Sequence, residues 1–194
     1  GYYMLATGSR LADGSVLANV SFLNIGPNRT TETDLPMRDN SEAVRVIGSF
    51  NSESKFIDAR TGRETSVLLT AGRGYFVVGL VGVGQEPTDH ALKDIAAKAA
   101  ELEQWGRSII LLFPDETAYA KYAASPAAPL PQTVTFGIDR DGSVRRQTLD
   151  TMHLPGNAPL PVFLIGDTFN RVVFESHGYT IGLGDRFLHT IHQL

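Results

Sequence analysis

The sequence predicts an α/β protein whose mixed central sheet is flanked by helices and preceded by a small antiparallel β-subdomain. Residues 75–83 form an almost unbroken apolar run rich in valine, which is typical of a strand covered on both faces. From Ala91 onward the apolar residues recur every three or four positions, which predicts an amphipathic helix. A strand that leads directly into such a helix is the first half of a βαβ unit.

Length and composition are those of an ordinary globular protein. The chain has 194 residues, of which 42% are hydrophobic and 20% charged, enough for one sizeable core and a smaller unit. The net charge is -4 and no cluster of Lys or Arg provides a basic stripe, so we expect no nucleic-acid partner. No apolar run approaches the roughly 20 residues of a membrane span.

The first part of the chain has a β pattern. Strands are predicted at residues 2–10, 16–25 and 30–37, and Asp13-Gly14 is a strong hairpin signal. Three such strands are marginally stable alone. We therefore expect them to pack on the rest of the chain or to be the last strands of a truncated β-sandwich. The polar residues 38–42 mark the boundary between a β-subdomain, residues 1–42, and a larger domain, residues 43–194.

The larger domain begins with a strand and a hairpin, and its first long helix follows the buried strand. Pro87 fits the first turn of that helix because its missing N–H would be unpaired there anyway. Gly106 is typical of the residue that ends a helix, and Asp115 is placed to cap the short helix after the next strand. The predicted elements up to this point are strands at 43–50 and 108–113, a hairpin at 52–63, and helices at 87–105 and from 116.

The last part of the chain alternates strands and helices. A strand led by Pro161 needs an explanation, because proline cannot donate a hydrogen bond to the ladder of a central strand. The closing segment carries apolar residues at helical spacing. The predicted elements are strands at 133–138, 160–165 and 171–174, a turn at 139–142, and helices at 144–152 and 181–194.

This order of elements resembles the thioredoxin superfamily. In that family a buried strand ends in a Trp-Cys-x-x-Cys turn at the start of a helix, and the resemblance places Gln85 and Thr88 at the two cysteine positions. It also implies that the Leu160–Pro161 peptide bond is cis and lies across from this turn. The chain contains no cysteine. Because thiol–disulfide exchange and peroxide reduction both need a thiolate, we expect neither activity.

Residues 1–10 and 83–88 are also similar to the C-terminal part of large bacterial envelope proteins that carry a transglutaminase-like core. The resemblance implies that this chain is a segment of a longer protein, and that any acyl-transfer activity belongs to the part outside it. It further implies a periplasmic, secreted or cell-surface location.

The candidate binding site is the turn that precedes the long helix, together with the proline-led strand. Free N–H groups at a helix start favour an anionic or carbonyl ligand. The simpler interpretation is that Thr88 and Glu86 only cap the helix. The candidate binding residues are Gln85, Glu86, Pro87, Thr88, Leu160 and Pro161.

Two further clusters resemble metal sites only weakly. His189 and His192 lie three residues apart on the last helix, with Asp185 one turn earlier, but a fourth ligand is missing, so we expect solvated side chains. Asp139, Asp141 and Gly142 resemble part of a calcium loop without its downstream glutamate, so a plain turn is favoured. We therefore predict neither a metal nor a cofactor.

These patterns favour a redox-inactive accessory or protein-interaction module without enzymatic activity of its own. Its expected partners are other domains of the parent chain, a protein or a peptide. The alternative is a catalytic or small-ligand-binding domain in which Glu86, Thr88 or His90 acts beside Pro161, and it predicts a perturbed carboxylate or histidine there. A purely structural spacer would instead have a turn covered by neighbouring side chains.

Overall fold

A computed structural model describes residues 2–10, 12, 16–25, 27, 30, 38–39, 45–72 and 74–194. The predicted Asp13-Gly14 turn and residues 31–37 of the strand predicted at 30–37 lie outside the described residues. Contacts divide the chain into two compact units, one with residues 1–44 and 193–194 and the other with residues 45–192.

The described residues of the first unit form a three-stranded antiparallel sheet. Strand β1, Tyr2–Arg10, pairs with β2, Val16–Asn24, so that Tyr2 lies opposite Asn24 at one end of the ladder. A short strand β3, Arg38–Asp39, pairs with the other edge of β2. The two strands predicted at 2–10 and 16–25 are therefore present.

The second unit contains an eight-stranded mixed sheet with the strand order β4-β11-β10-β7-β8-β9-β5-β6. Strands β7, β8 and β9 run parallel, and the other neighbours are antiparallel. In chain order the strands are β4 Gly48–Ser49, β5 Lys55–Asp58, β6 Glu64–Ser66, β7 Tyr75–Leu80, β8 Ile109–Phe113, β9 Val134–Ile138, β10 Val162–Asp167 and β11 Arg171–His177. The helices are α1 Val67–Ala71, α2 Glu86–Ala96, α3 Ala99–Trp105, α4 Glu116–Ala124, α5 Ser143–Thr151 and α6 Leu183–Gln193.

The predicted long helix at 87–105 is two helices, which corrects that prediction. The backbone of Lys98 leaves the helical region, with φ -111° and ψ 20°, and separates α2 from α3. The Lys98 ammonium forms an ion pair with Asp185 of α6, with an N–O distance of 2.7 Å. Apolar periodicity continues across the break, so the pattern alone cannot reveal it. The predicted end at Gly106 is confirmed, since Gly106 adopts the left-handed conformation with φ 67°.

The core of this unit is formed by the central strands and the helices that cover them. All side chains of β8 and β10 are buried, as the apolar runs predict. The N-cap at Asp115 is confirmed, because its Oδ1 accepts a hydrogen bond from the Ala118 N–H at 2.7 Å. The Leu160–Pro161 peptide bond is cis. Within the described residues, no helix has the length and hydrophobicity that crossing a bilayer requires.

Candidate functional site

The candidate site lies at the carboxyl ends of the three parallel strands, where α2 begins and β10 enters the sheet. Leu80, the last residue of β7, is paired with Val162, the first residue of β10. The cis bond before Pro161 is therefore adjacent to the turn that joins β7 to α2. This edge of an α/β sheet is where ligands most often bind.

The turn before α2 is closed by its own polar groups. Thr88 is only 3% exposed, and its hydroxyl accepts a hydrogen bond from the Gly82 N–H at 3.2 Å. The Gln85 side chain lies over Gly82, because a Cβ added at Gly82 would be 2.4 Å from the Gln85 Oε1. Gln85 occupies the N-cap position of α2 but its side chain makes no capping hydrogen bond. Thr88 therefore ties the turn to the helix.

The sequence-predicted residues do not share one cavity. Gln85 and Glu86 are exposed, Pro87 and Leu160 are half-buried, and Thr88 and Pro161 are buried. Thr88 lines a cavity of about 250 Å³ on the α2 side, and Leu160 lines another of about 390 Å³ on the α5 side. Val81 and Phe113 line both cavities and separate them. Gln85, Glu86 and Pro87 line neither of the two.

The cavity on the α2 side brings opposite charges together. Gly84 has φ 69°, and a Cβ added there would lie 3.3 Å from the Lys121 Nζ, so the ammonium sits close to the turn. Asp89 in the first turn of α2 lines the same cavity. This cavity could accept a small polar group but its charges are balanced.

The cavity on the α5 side contains a buried carboxyl group. Asp139 is 4% exposed, its Oδ1 accepts from the Val144 N–H at 3.1 Å, and its Oδ2 accepts from the Arg145 N–H at 2.7 Å. Burial raises the pKa of Asp139 above its ordinary value, although these two hydrogen bonds lower it in part. The carboxyl therefore stabilises the start of α5 at the cost of its own desolvation.

Sequence reasoning missed this role of Asp139. The predicted turn at 139–142 is confirmed by the hydrogen bond from the Gly142 N–H to the Asp139 carbonyl at 3.0 Å. Nothing in the turn pattern indicated that the Asp139 side chain is buried. The available signal was an aspartate followed within a few residues by a helix, which is typical of a capping group.

An exposed apolar edge lies beside α2 and Pro161. The Pro161 carbonyl accepts a hydrogen bond from the Gly178 N–H at 2.8 Å. The next residue, Tyr179, stacks on His90 of α2, with ring centroids 4.8 Å apart and an interplanar angle of 18°. Tyr179 is 52% exposed and Ile181 is 79% exposed. We call Tyr179 and Ile181 the apolar edge.

The histidines do not assemble a metal site. Among the residues that the structure describes, no group of three potential metal-ligating side chains is found. Asp185 is instead paired with Lys98. His90 Nε2 lies 3.8 Å from Asp94 Oδ2, which is too long for a hydrogen bond.

Comparison with known proteins identifies the fold. No protein-family model and no curated protein matches the chain. Among solved structures, the bacterioferritin comigratory protein of Xanthomonas campestris has a TM-score of 0.58 at 15% identity, covering 77% of this chain and 100% of its own. Peroxidoxin BcpB of Mycobacterium tuberculosis has a TM-score of 0.59 at 14% identity, covering 77% and 97%. BsSco, a member of the Sco family of cytochrome c oxidase assembly proteins, has a TM-score of 0.57 at 13% identity, covering 76% and 94%. The fold is thioredoxin-like, as the sequence predicts.

Proposed function

We propose that this chain is a redox-inactive, thioredoxin-like interaction module that serves a larger transglutaminase-like envelope protein. The observation that carries the proposal is a thiol-free turn beside an exposed apolar edge. The two positions where the resemblance places thiols hold Gln85 and Thr88. The chain contains no cysteine at any other position that could take their role. A thiolate nucleophile is therefore absent from the chain.

The apolar edge supports protein binding. Large exposed apolar side chains that lie together mark sites of interaction more often than isolated ones do. Tyr179 is held in place by its stacking on His90, so little side-chain entropy would be lost when a partner covers it. Ile181, two residues later in the chain and 79% exposed, provides further apolar area.

The role in an envelope protein rests on the resemblance of residues 1–10 and 83–88 to such proteins. In this proposal the module docks on another domain of its parent or on a peptide, and the parent supplies any chemistry. The location is then periplasmic, secreted or at the cell surface.

Calorimetric titration of the chain with the transglutaminase-like region of the proposed parent tests the docking role. Ile181→Ser and Tyr179→Ser should each weaken binding by about tenfold, since each removes buried apolar area from the interface. Leu69→Ser is the matched control, because Leu69 is 78% exposed but lies on α1. Equal binding by all three variants, or no binding by the unmodified chain, would reject the docking role.

A second candidate function is small-ligand binding on the α5 side, and the buried carboxyl of Asp139 favours it. A desolvated carboxyl in a cavity of about 390 Å³ is typical of sites that recognise a polar ligand group. Nuclear magnetic resonance titration with a library of small compounds separates the two candidates. Chemical-shift changes confined to residues 139–145 would favour small-ligand binding over the role as an interaction module.

A further inference from the structure

A separate cavity of about 450 Å³ lies between α4, β9 and the proline-rich loop that connects them. Its volume falls within the range of small-molecule sites, roughly 300–1,000 Å³. Aromatic side chains from α4 and β9 form one wall, and the loop forms the other. It shares only Tyr122 with the α2-side cavity and no residue with the α5-side cavity.

The aromatic wall is preorganised by ring packing. Phe136 packs against Tyr119 and Tyr122, with centroid distances of 5.9 and 5.6 Å. The fully buried Phe113 supports both tyrosines from behind, at 5.5 and 5.2 Å. Each ring is therefore fixed by at least two others. Aromatic faces held in this way favour a flat aromatic ligand through offset and edge-to-face contacts.

The opposite wall is also stiff. Pro126, Pro129 and Pro131 line the cavity, and proline fixes its own backbone φ, which lowers the entropy lost on ordering the loop. The end of the loop is anchored, because the Gln132 N–H donates to Glu103 Oε1 at 2.8 Å. The Val134 N–H donates to the Pro131 carbonyl at 3.0 Å. The gap between the two walls is therefore built into the fold.

A cationic group lies at the rim. A neighbouring cavity of about 360 Å³ is lined by Asp58 and Arg60 and shares Tyr119, Gln132, Val134 and Phe136 with the first. Asp58 Oδ1 already accepts hydrogen bonds from the Arg60 and Thr61 N–H groups, at 2.9 and 2.7 Å, and from the Thr61 hydroxyl at 3.0 Å. The Asp58 carboxylate is held by the hairpin and attracted by Arg60, and the exposed guanidinium of Arg60 lies with it at the rim.

We infer that these two cavities together bind a flat aromatic molecule that carries an anionic group. Its rings lie between the aromatic wall and the proline-rich loop, and its anionic group meets Arg60. Guanidinium is well suited to this role because it pairs with carboxylate, sulfonate or phosphate oxygens through two parallel hydrogen bonds.

Fluorescence titration of the intact chain with two matched probes tests the inference. Anilinonaphthalene sulfonate carries the aromatic rings and an anion, whereas phenylnaphthylamine carries the same rings without the anion. We expect saturable binding of both probes at one site, with the sulfonate bound more tightly. Binding that does not saturate would overturn the inference.

Two pairs of variants locate the site. Ala128 lines the cavity and Ala127 does not. Ala128→Leu should therefore fill the gap and weaken binding of both probes by about tenfold, whereas Ala127→Leu should leave their binding unchanged. Arg60→Gln should weaken binding of the sulfonate probe by about tenfold and leave binding of the neutral probe unchanged. Arg63→Gln, in the same hairpin, is the control. Equal effects within either pair would overturn the corresponding part of the assignment. Circular dichroism shows whether each variant is folded.

Discussion

The Thr88 hydroxyl and the Gly82 N–H are joined by a buried hydrogen bond of 3.2 Å, which makes the first turn of α2 and the loop before it one structural unit. Gly82 is itself buried, so its N–H has no access to water if the hydroxyl is removed. In this bond the Thr88 hydroxyl acts as the acceptor.

We predict that Thr88→Val lowers the free energy of unfolding by about 1–3 kcal/mol, because it leaves the Gly82 N–H buried and unpaired. Thr88→Ser keeps the hydroxyl and should lower the free energy of unfolding by less. Urea denaturation of the two variants measures the difference. Equal stabilities of the Val and Ser variants would show that the hydrogen bond contributes nothing.

A second prediction concerns the missing dithiol. Gln85→Cys combined with Thr88→Cys should create a pair that closes a disulfide on mild oxidation, since the two positions flank the start of α2 as the resemblance implies. The helix N-terminus should lower the pKa of the first thiol. Thiol counts before and after oxidation measure closure, and the two single variants serve as controls. Cysteines that stay reduced in the double variant would show that the turn differs from the family in shape.

The unmodified chain should not reduce a disulfide or a peroxide, because both reactions need a thiolate and none is present. Turnover assays with a small disulfide and with hydrogen peroxide measure this directly. Turnover by the purified chain would refute the redox-inactive function.

A prediction about packing follows from Gly184 of α6. A Cβ added there would lie 2.5 Å from the Asp94 carbonyl oxygen of α2. Gly184→Ala should therefore force the two helices apart and cost about 1–3 kcal/mol in urea denaturation. Gly156→Ala is the control, because a Cβ there meets nothing within 4 Å. If both variants unfold at the same urea concentration, the helices do not approach this closely.

Asp139 should give the protein an unusual pH dependence. Its raised folded pKa means that the folded state holds the proton more tightly than the unfolded state. The stability contributed by Asp139 is therefore present below the unfolded pKa of about 3.9 and is lost as pH rises through the folded pKa. The stability of the unmodified chain relative to Asp139→Asn should fall with rising pH across this window, as measured by urea denaturation.

For Asp141 we expect a pH dependence of stability opposite in sign to that of Asp139. Hydrogen bonds from Ser143 hold the pKa of Asp141 below its ordinary value, so its contribution is present at neutral pH and is lost on acidification. The stability of the unmodified chain relative to Asp141→Asn should therefore rise with pH. Parallel curves for the two variants would contradict the assigned environments.

Local patterns predicted the fold well, because capping and strand burial depend on residues close in sequence. Asp115 caps the start of α4 and Gly106 follows the end of α3, as the sequence indicates, and the Leu160–Pro161 bond is cis as the resemblance implies. The break at Lys98 was missed because the apolar periodicity continues across it, and the sequence pattern does not show the non-helical backbone of Lys98. Two of the candidate binding residues, Thr88 and Leu160, line different cavities, and Val81 and Phe113 line both.

The two outer strands of the eight-stranded sheet affect how copies of the chain meet in concentrated solution. At one border β4 spans only two residues, and at the other β6 spans three, so each border exposes little backbone for another chain to pair with. An exposed ion pair between Lys55 and Glu64, 2.8 Å apart, adds charge along the β5–β6 border. Short and charged borders disfavour strand-to-strand aggregation. The apolar core strands β7, β8 and β10 are each paired on both sides, so their backbone groups are not available to a strand from another chain.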